Sequence, residues 1–480
     1  MSPNNNLSTT TLEEEKPPSF PSSANQNGEL LVYFYNVVED EWSFINAFSD
    51  PVRKAKEIEA CKNTSDCYFL GLSSEPNFVF VSPVVISKEF QDYAKSLMNY
   101  KQGEVIVPKT KSHLLCEDFL SDKNLIDGFV KKVKDYKKVS LVSYSATSQF
   151  YKVKDYLTEN GVNVYTPEAP EIDSAWTVNF FGSKSGIRQL AQKSVALEPD
   201  FMMPDGMICW GKFDAAKIAA DKFLKQKGVV IKTNKGSSGN GLFIFREGEL
   251  PSNYQECEKK IQEYLGQEEY WEKFPIIVED LVNINYNAGG GFPNIEFKIQ
   301  KSGRIEMLYY CSMLVTKKGK YYGMHVNDEI LNERLTARFI DTGYFVAEQY
   351  GSAGYRGHFD IDMIAAKNGH VYITESNNRN TGGTDVYKIV NKLIGKDFMD
   401  DCYVITQEED KIKSLQFLTF TKLLTALEPV LYSPKSREGI IINSQNSLKD
   451  KRLIYAVIGA TKKRALQIQT ETLSLLKNYE

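Results

Sequence analysis

Residues 357–384 read GHFDIDMIAAKNGHVYITESNNRNTGGT, and the chain is organised around them. Residues 359–365 and 370–375 are rich in β-branched, aromatic and apolar types, and Lys367, Asn368 and Gly369 between them supply a turn. That pattern predicts an antiparallel hairpin. Alternate residues of an extended chain share a face, so Asp360 lies with Asp362, and Glu375 with Asn377 just past the second strand. Mg2+ takes a few carboxylate or amide oxygens and completes its octahedron with water and substrate phosphates. A cluster without cysteine therefore suits it better than zinc. Asp362, Glu375 and Asn377 are the candidate metal ligands. A solvated hairpin with ordinary acidic decoration remains the rival on spacing alone.

Upstream, residues 229–245 read VVIKTNKGSSGNGLFIF, a strand, a glycine loop and a second strand. Lys235, Gly236, Ser237, Ser238, Gly239 and Gly241 form a loop whose backbone N–H groups can turn toward an anion, and Lys232 can place an ammonium beside it. Phosphate is the natural guest. The order of a P-loop is absent, and a strand rather than a helix follows. A plain hairpin tip is the competing reading.

Together these stretches resemble the ATP-grasp ligase superfamily from about residue 181 to residue 394. The motifs are GSKSGIR at 182–188, Ile231-Lys232 with the glycine loop, VEDLV at 278–282, Asp362, and ESNNR at 375–379, in the family's order. The last, an acidic residue, then Asn and Arg at alternate positions, is the most specific. Both ends resemble the peptide-ligase branch exemplified by the enzyme of pheganomycin biosynthesis.

The resemblance implies an ATP-grasp fold of mixed α/β (α+β) class. It has a Rossmann-like pre-ATP-grasp domain in front and a small α+β domain behind. It implies ATP and Mg2+ as cofactors, and a carboxylate joined to an amine through an acyl phosphate. Lys184 and Lys232 are then expected on the phosphates, and Glu279, Asp280, Leu281 and Val282 around adenine. Arg379 and Lys232 take catalytic roles, and Arg356, His358, Arg379, Gly382 and Gly383 face the substrate. Residues 283–291, NINYNAGGG, depart from the family by lacking the acidic residue that often holds ribose. An ATP-grasp kinase and a silent nucleotide-binding scaffold are the alternatives.

Working outward, 480 residues give room for about three domains. Charged residues at 25%, apolar at 42% and aromatic at 12% fit a globular chain, and a net charge of −4 gives no electrostatic reason to expect nucleic acid. Seven scattered cysteines without paired spacing read as free thiols in a reducing compartment. No apolar run approaches the ~20 residues of a membrane span, and no secretory leader is visible, so the cytoplasm is the expected location. Small-molecule carboxylate and amine substrates are the expected partners, with homodimerisation left open.

Residues 1–29 are too polar to pack and are expected as a disordered tail. Residues 30–178 alternate strands (30–35, 66–72, 139–144) with helices (89–98, 125–136), a parallel α/β domain. The loop at 143–148 has no glycine and is expected to be structural. The ATP-grasp unit follows at 179–395, with its small lobe at about 212–285, and a cap at 396–480. Inside these lie helices at 183–193, 215–227, 331–350 and 415–427, and strands at 275–282, 296–300, 305–314, 439–443 and 452–459. The four histidines do not pair at metal-ligand spacing and are expected to be structural, His358 being the one worth testing.

Overall fold

The computed structural model describes residues 28–236, 239–410, 412 and 419–477. Most of the expected N-terminal tail and two residues of the glycine loop, Ser237 and Ser238, lie outside these described residues.

The N-terminal sheet is built from β1 (Glu29–Phe34), β2 (Asn77–Val81), β3 (Gln102–Ile106), β4 (Lys138–Ser143) and β5 (Val164–Tyr165). Its order is β3-β2-β1-β4-β5, with every pair parallel. Near-continuous apolar runs such as LLVYF in β1 and NFVFV in β2 suit strands covered on both faces. Residues 66–72, expected as a strand, instead belong to a helix, Ser65–Leu72. That helix packs against the helix Thr384–Leu393, and Cys67, Phe69, Leu70 and Leu72 are all buried. A short apolar run buried all round has no period that separates strand from helix.

The second sheet is antiparallel: β6 (Gly206–Cys209), β7 (Gly228–Thr233), β8 (Leu242–Arg246) and β9 (Ile276–Asp280), in the order β6-β9-β7-β8. The helix Lys212–Gln226 packs on it through Ala215, Ala216, Ala219 and Ala220, whose small side chains allow close approach.

The third sheet is the largest. It contains β10 (Pro293–Ile299), β11 (Ile305–Val315), β12 (Tyr321–Val326), β13 (Gly357–Ala365), β14 (Val371–Asn377), β15 (Tyr403–Glu409), β16 (Gly439–Ile442) and β17 (Leu453–Gly459). Its order is β14-β13-β10-β11-β12-β15-β17-β16. The helix Glu333–Ser352, capped by Asn332, covers β10 and β11. The segment after residue 395 extends this same sheet, because β15 pairs with β12 and then with β17. It is also tied to the helix Ser65–Leu72: buried Asp66 accepts hydrogen bonds from Ser444 Oγ, Gln445 N and Asn446 N, each 2.7 Å long.

Candidate nucleotide and metal site

The hairpin β13–β14 sets Asp360 opposite Asn377 and Asp362 opposite Glu375, with a register shift just after Asp362. On its other edge β13 pairs with β10, which brings in Asn294 opposite Asp362. Asn294 Nδ2 donates to Asp360 Oδ2 at 3.1 Å and to Asp362 Oδ1 at 2.7 Å. Asn377 Nδ2 donates to Asp360 Oδ1 at 2.9 Å and to Asp362 Oδ2 at 3.4 Å. Two carboxyl groups thus lie side by side, Asp360 buried and Asp362 half-buried at the wall of a cavity. Burial, with Glu296 nearby, pushes Asp360 up to about 7, and burial beside Asp360 and Glu375 holds Asp362 well above the usual carboxylate range. For Glu375 burial acts upward too, but Lys184 and Lys232 outweigh it and hold the group down at about 2. Hard oxygen donors whose mutual repulsion only a proton or a cation relieves are a suitable set for Mg2+. Asp360 shares both amide donors with Asp362 and is a further candidate beside the three anticipated from spacing, although it lines neither cavity.

Lys184 Nζ lies 2.6 Å from Glu375 Oε2. It opens the helix Lys184–Ser194, whose cap Ser183 accepts from Gly186 N. The glycine loop docks on that helix start, with Ser185 N donating to Asn234 Oδ1 at 2.8 Å. Lys232, buried on β7, lies 2.7 Å from Glu279 Oε2, and Arg188 lies 2.5 Å from the other oxygen of the same carboxylate. Each oxygen of this buried carboxylate thus faces its own cation, which offsets the cost of burying the charge. Burial pushes the Lys235 ammonium down, Asp40 opposing and Lys184 and Arg379 reinforcing that shift. Gly241 has φ +75°, and a Cβ there would lie 2.2 Å from Thr233 Cγ2, so this turn of the loop requires glycine.

Between the second and third sheets is a cavity of about 470 Å³, within the usual range for small-molecule sites. Lys184, Lys232, Asp362 and Glu375 line one end, with Asp280, Leu281, Val282, Ile284 and Met313 among its other lining residues. A second cavity of about 40 Å³ shares Lys184, Gly236 and Glu375 with it. Its lining adds Lys235, Asn377 and Arg379, and Asp40, Glu41 and Phe44 from the helix Val37–Ile45. Arg379 Nε sits 3.3 Å from Asp40 Oδ2, and its guanidinium lies 5.2 Å from the Tyr144 ring centre. Asp40 and Glu41 were not anticipated. On an amphipathic helix their pattern is that of any solvated face.

No family model matches the chain, and no curated protein sequence matches it. Solved structures do. Biotin carboxylase from Campylobacter jejuni, in a β-γ-ATP complex, superposes with a TM-score of 0.57 at 13% identity, covering 94% of each chain. The ADP complex of N5-carboxyaminoimidazole ribonucleotide synthetase gives 0.53 at 10% identity, covering 94% of this chain and 97% of that one. N5-carboxyaminoimidazole synthetase from Staphylococcus aureus, with ADP, gives 0.51 at 9% identity, covering 93% and 96%. The chain has the ATP-grasp fold.

Within the ATP-grasp fold, the anticipated residues divide. Lys184, Lys232, Gly236, Gly239, Gly241, Asp280, Leu281, Val282, Asp362 and Glu375 line the large cavity, and Lys235, Asn377 and Arg379 the small one. Glu279 reaches the cavity wall, but its carboxylate is engaged by Lys232 and Arg188. Arg356 bonds carbonyl oxygens of Lys301, Gly351 and Tyr355 at 3.3, 3.0 and 2.7 Å, and lines neither cavity. His358 is buried, its Nδ1 3.0 Å from Glu296 Oε1. Gly383 N donates to Thr381 Oγ1 at 3.2 Å, and a Cβ on Gly383 would meet the Tyr309 hydroxyl at 1.8 Å. That turn faces the interior at Gly383. Gly382 shares the turn and lines neither cavity.

Proposed function

We propose that this chain is an ATP-dependent carboxylate–amine ligase, forming a peptide or other amide bond through an acyl phosphate and releasing ADP and phosphate. The observation that carries this is the position of the acidic cluster. Asp362 and Glu375 stand at the lysine-bearing end of a nucleotide-sized cavity, next to a second cavity that holds Arg379. The structurally similar proteins were crystallised with ADP or β-γ-ATP.

A carboxylate oxygen is a poor leaving group, and phosphorylation makes it a good one. In this reading Lys184, Lys232 and the glycine-loop amides hold the phosphates, and Asp360, Asp362, Glu375 and Asn377 hold Mg2+. Bound there, Mg2+ neutralises phosphate charge. Arg379, kept protonated against its burial by Tyr144, Asp40 and Glu41, steadies the transferring phosphoryl group. Adenine lies along Asp280, Leu281 and Val282. We further propose the pheganomycin-type peptide-ligase assignment, a domain boundary near residue 178, a second near 395, and a reducing, cytoplasmic setting for the seven free cysteines. Among the described residues no helix is long and apolar enough to cross a membrane.

The test is ADP release over a panel of amino acids and small peptides with Mg2+, with hydroxylamine added to trap the activated acid. A hydroxamate with one ADP per bond supports the ligase. ADP with a hydroxylamine-resistant phosphate monoester overturns it in favour of a kinase, and no nucleotide turnover favours a scaffold.

A further inference from the structure

One nucleotide can touch Lys232 on β7 and also Asp362 and Glu375 on the third sheet only while the second sheet stands close to the third. Across the mouth of the large cavity, exposed Arg246 of β8 donates to Lys317 O at 2.9 Å, a hydrogen bond for which water competes. A firmer hold comes from the first domain. Its helix Pro51–Asn63 is capped by Asp50, which accepts from Val52 N at 2.9 Å, and has proline at the first position. Arg53 and Glu57 are four residues apart on that helix, so their side chains leave the same face. Asn240, at the end of the glycine loop, lies across them. Arg53 Nη2 donates to Asn240 Oδ1 at 2.8 Å, and Asn240 Nδ2 donates to Glu57 Oε2 at 3.4 Å. The acceptor of the amide meets a cation and its donor meets a carboxylate.

The same guanidinium reaches a second point on the small lobe. Arg53 Nη1 pairs with Glu268, which only a forked donor can do while also serving Asn240. Ser49, just before the helix, adds two bonds: Ser49 N donates to Glu268 Oε2 and Glu269 N to Ser49 Oγ, each at 3.2 Å. Under this polar layer Phe44 and Phe48 pack on Tyr270, with ring centres 4.9 and 5.9 Å away, and a Cβ on Gly241 would lie 3.4 Å from Phe44 Cε2. Tyr270 belongs to the short helix Tyr270–Lys273, whose Trp271 stacks on Phe243 of β8 at 5.3 Å. Residues 44–57 therefore grip the second sheet itself. The far end of the helix Pro51–Asn63 is fixed to the third: Asn63 Nδ2 donates to Asp450 Oδ2 at 3.1 Å, in the segment between β16 and β17. Thirteen helical residues span about 20 Å, so this helix bridges the two sheets that face the nucleotide.

We propose that Arg53 and Glu57 are positioning residues that hold the second sheet over the nucleotide and so set how fast ADP leaves. This rests on the placement of the nucleotide in the large cavity and not on which bond the chain makes. Neither residue lines a cavity, whereas Asn240 lines the large one, so they act through Asn240 and Glu268. For ADP to leave, the second sheet has to swing off the third, and the contacts of Arg53 have to part first.

The experiment uses the full chain with Mg2+ and a fluorescent ADP, displaced by excess unlabelled ADP in a stopped-flow instrument. Arg53→Ala is expected to raise the dissociation rate about tenfold, the worth of a charge-assisted hydrogen bond, with Tm within a few degrees of the wild type. Glu57→Ala is expected to raise it less, and Glu57→Gln, which keeps an acceptor for Asn240, to return it to the wild-type rate. Arg53→Ala combined with Glu268→Ala is expected to release ADP no faster than Arg53→Ala alone, because both break one contact. Additive effects in that pair would overturn the proposal, and so would a lowered Tm with an unchanged dissociation rate, which marks the contacts as merely structural. If the wild-type chain binds no ADP, the placement of the nucleotide has itself failed, and the hold on the second sheet falls with it.

Discussion

Two acidic groupings sit side by side on one face of β10 and β13, Glu296 directly opposite Asp360, and they are built oppositely. Beside the site on that face, Glu296 is wholly buried, yet its oxygens accept from Tyr309 Oη at 2.8 Å, Thr381 Oγ1 at 2.9 Å and Thr384 Oγ1 at 2.6 Å, with His358 Nδ1 at 3.0 Å. In the site, Asp360 and Asp362 share, among the described residues, the amide donors of Asn294 and Asn377, and both are pushed toward the protonated form. A carboxylate supplied with four partners is part of the framework. Two that crowd each other with fewer donors are the pair whose repulsion the proposed Mg2+ would relieve.

The sharpest way to break that contrast is to remove one member from each side. Asp362→Ala is expected to lower ADP formation by about a thousandfold, several kcal/mol of transition-state stabilisation, while thermal unfolding shows an unchanged or raised Tm. Near-normal turnover would dismiss the metal assignment. Glu296→Ala is expected to do the reverse, costing about 3–5 kcal/mol of stability, read from denaturant midpoints, because three hydroxyls and an imidazole lose their acceptor. Turnover per folded molecule should stay within a few-fold; a dead but stable variant would erase the distinction.

The contrast can be sharpened with pH. Below about 7 Asp360 holds a proton that competes with Mg2+, and Asp362 too is held well above its ordinary range. Mg2+ affinity, measured by calorimetry, is therefore expected to rise with pH by up to about tenfold per unit for each proton displaced. The metal-free chain has the opposite sign. Folded carboxyls with raised pKa bind more protons than unfolded ones, so their contribution to stability is present below the unfolded value of about 4 and is lost as pH rises through about 7. A Mg2+ affinity independent of pH from 6 to 8 would contradict this. The smallest effect belongs to His358→Gln, which keeps a donor for Glu296. It should cost about 1 kcal/mol in the same denaturant measurement and leave the Mg2+ dependence of ADP release untouched.

The period of two in residues 357–384 places Asp360 with Asp362 and Glu375 with Asn377, and alternation survives folding because one face of β13 and β14 is buried. The glycine loop is equally local, since Gly239 and Gly241 adopt positive φ that other residues avoid. These determined the fold class and most of the cleft. Residues 66–72 were misleading because burial on all sides erases period, and Arg356 because a lone basic residue does not say whether it meets a ligand or, as here, three carbonyl oxygens.

What the sequence determined by itself is whatever a few neighbouring side chains decide: strand alternation, loop glycines, and a set of hard oxygen ligands. Tertiary structure alone decided which distant pieces meet. It set Asn294 between two aspartates of β13, carried β15 across to β12, and brought Asp40, on the helix after β1, to within 3.3 Å of Arg379. Those contacts are paid for by the packing of whole sheets, not by the residues that make them. No local pattern in either partner records the other.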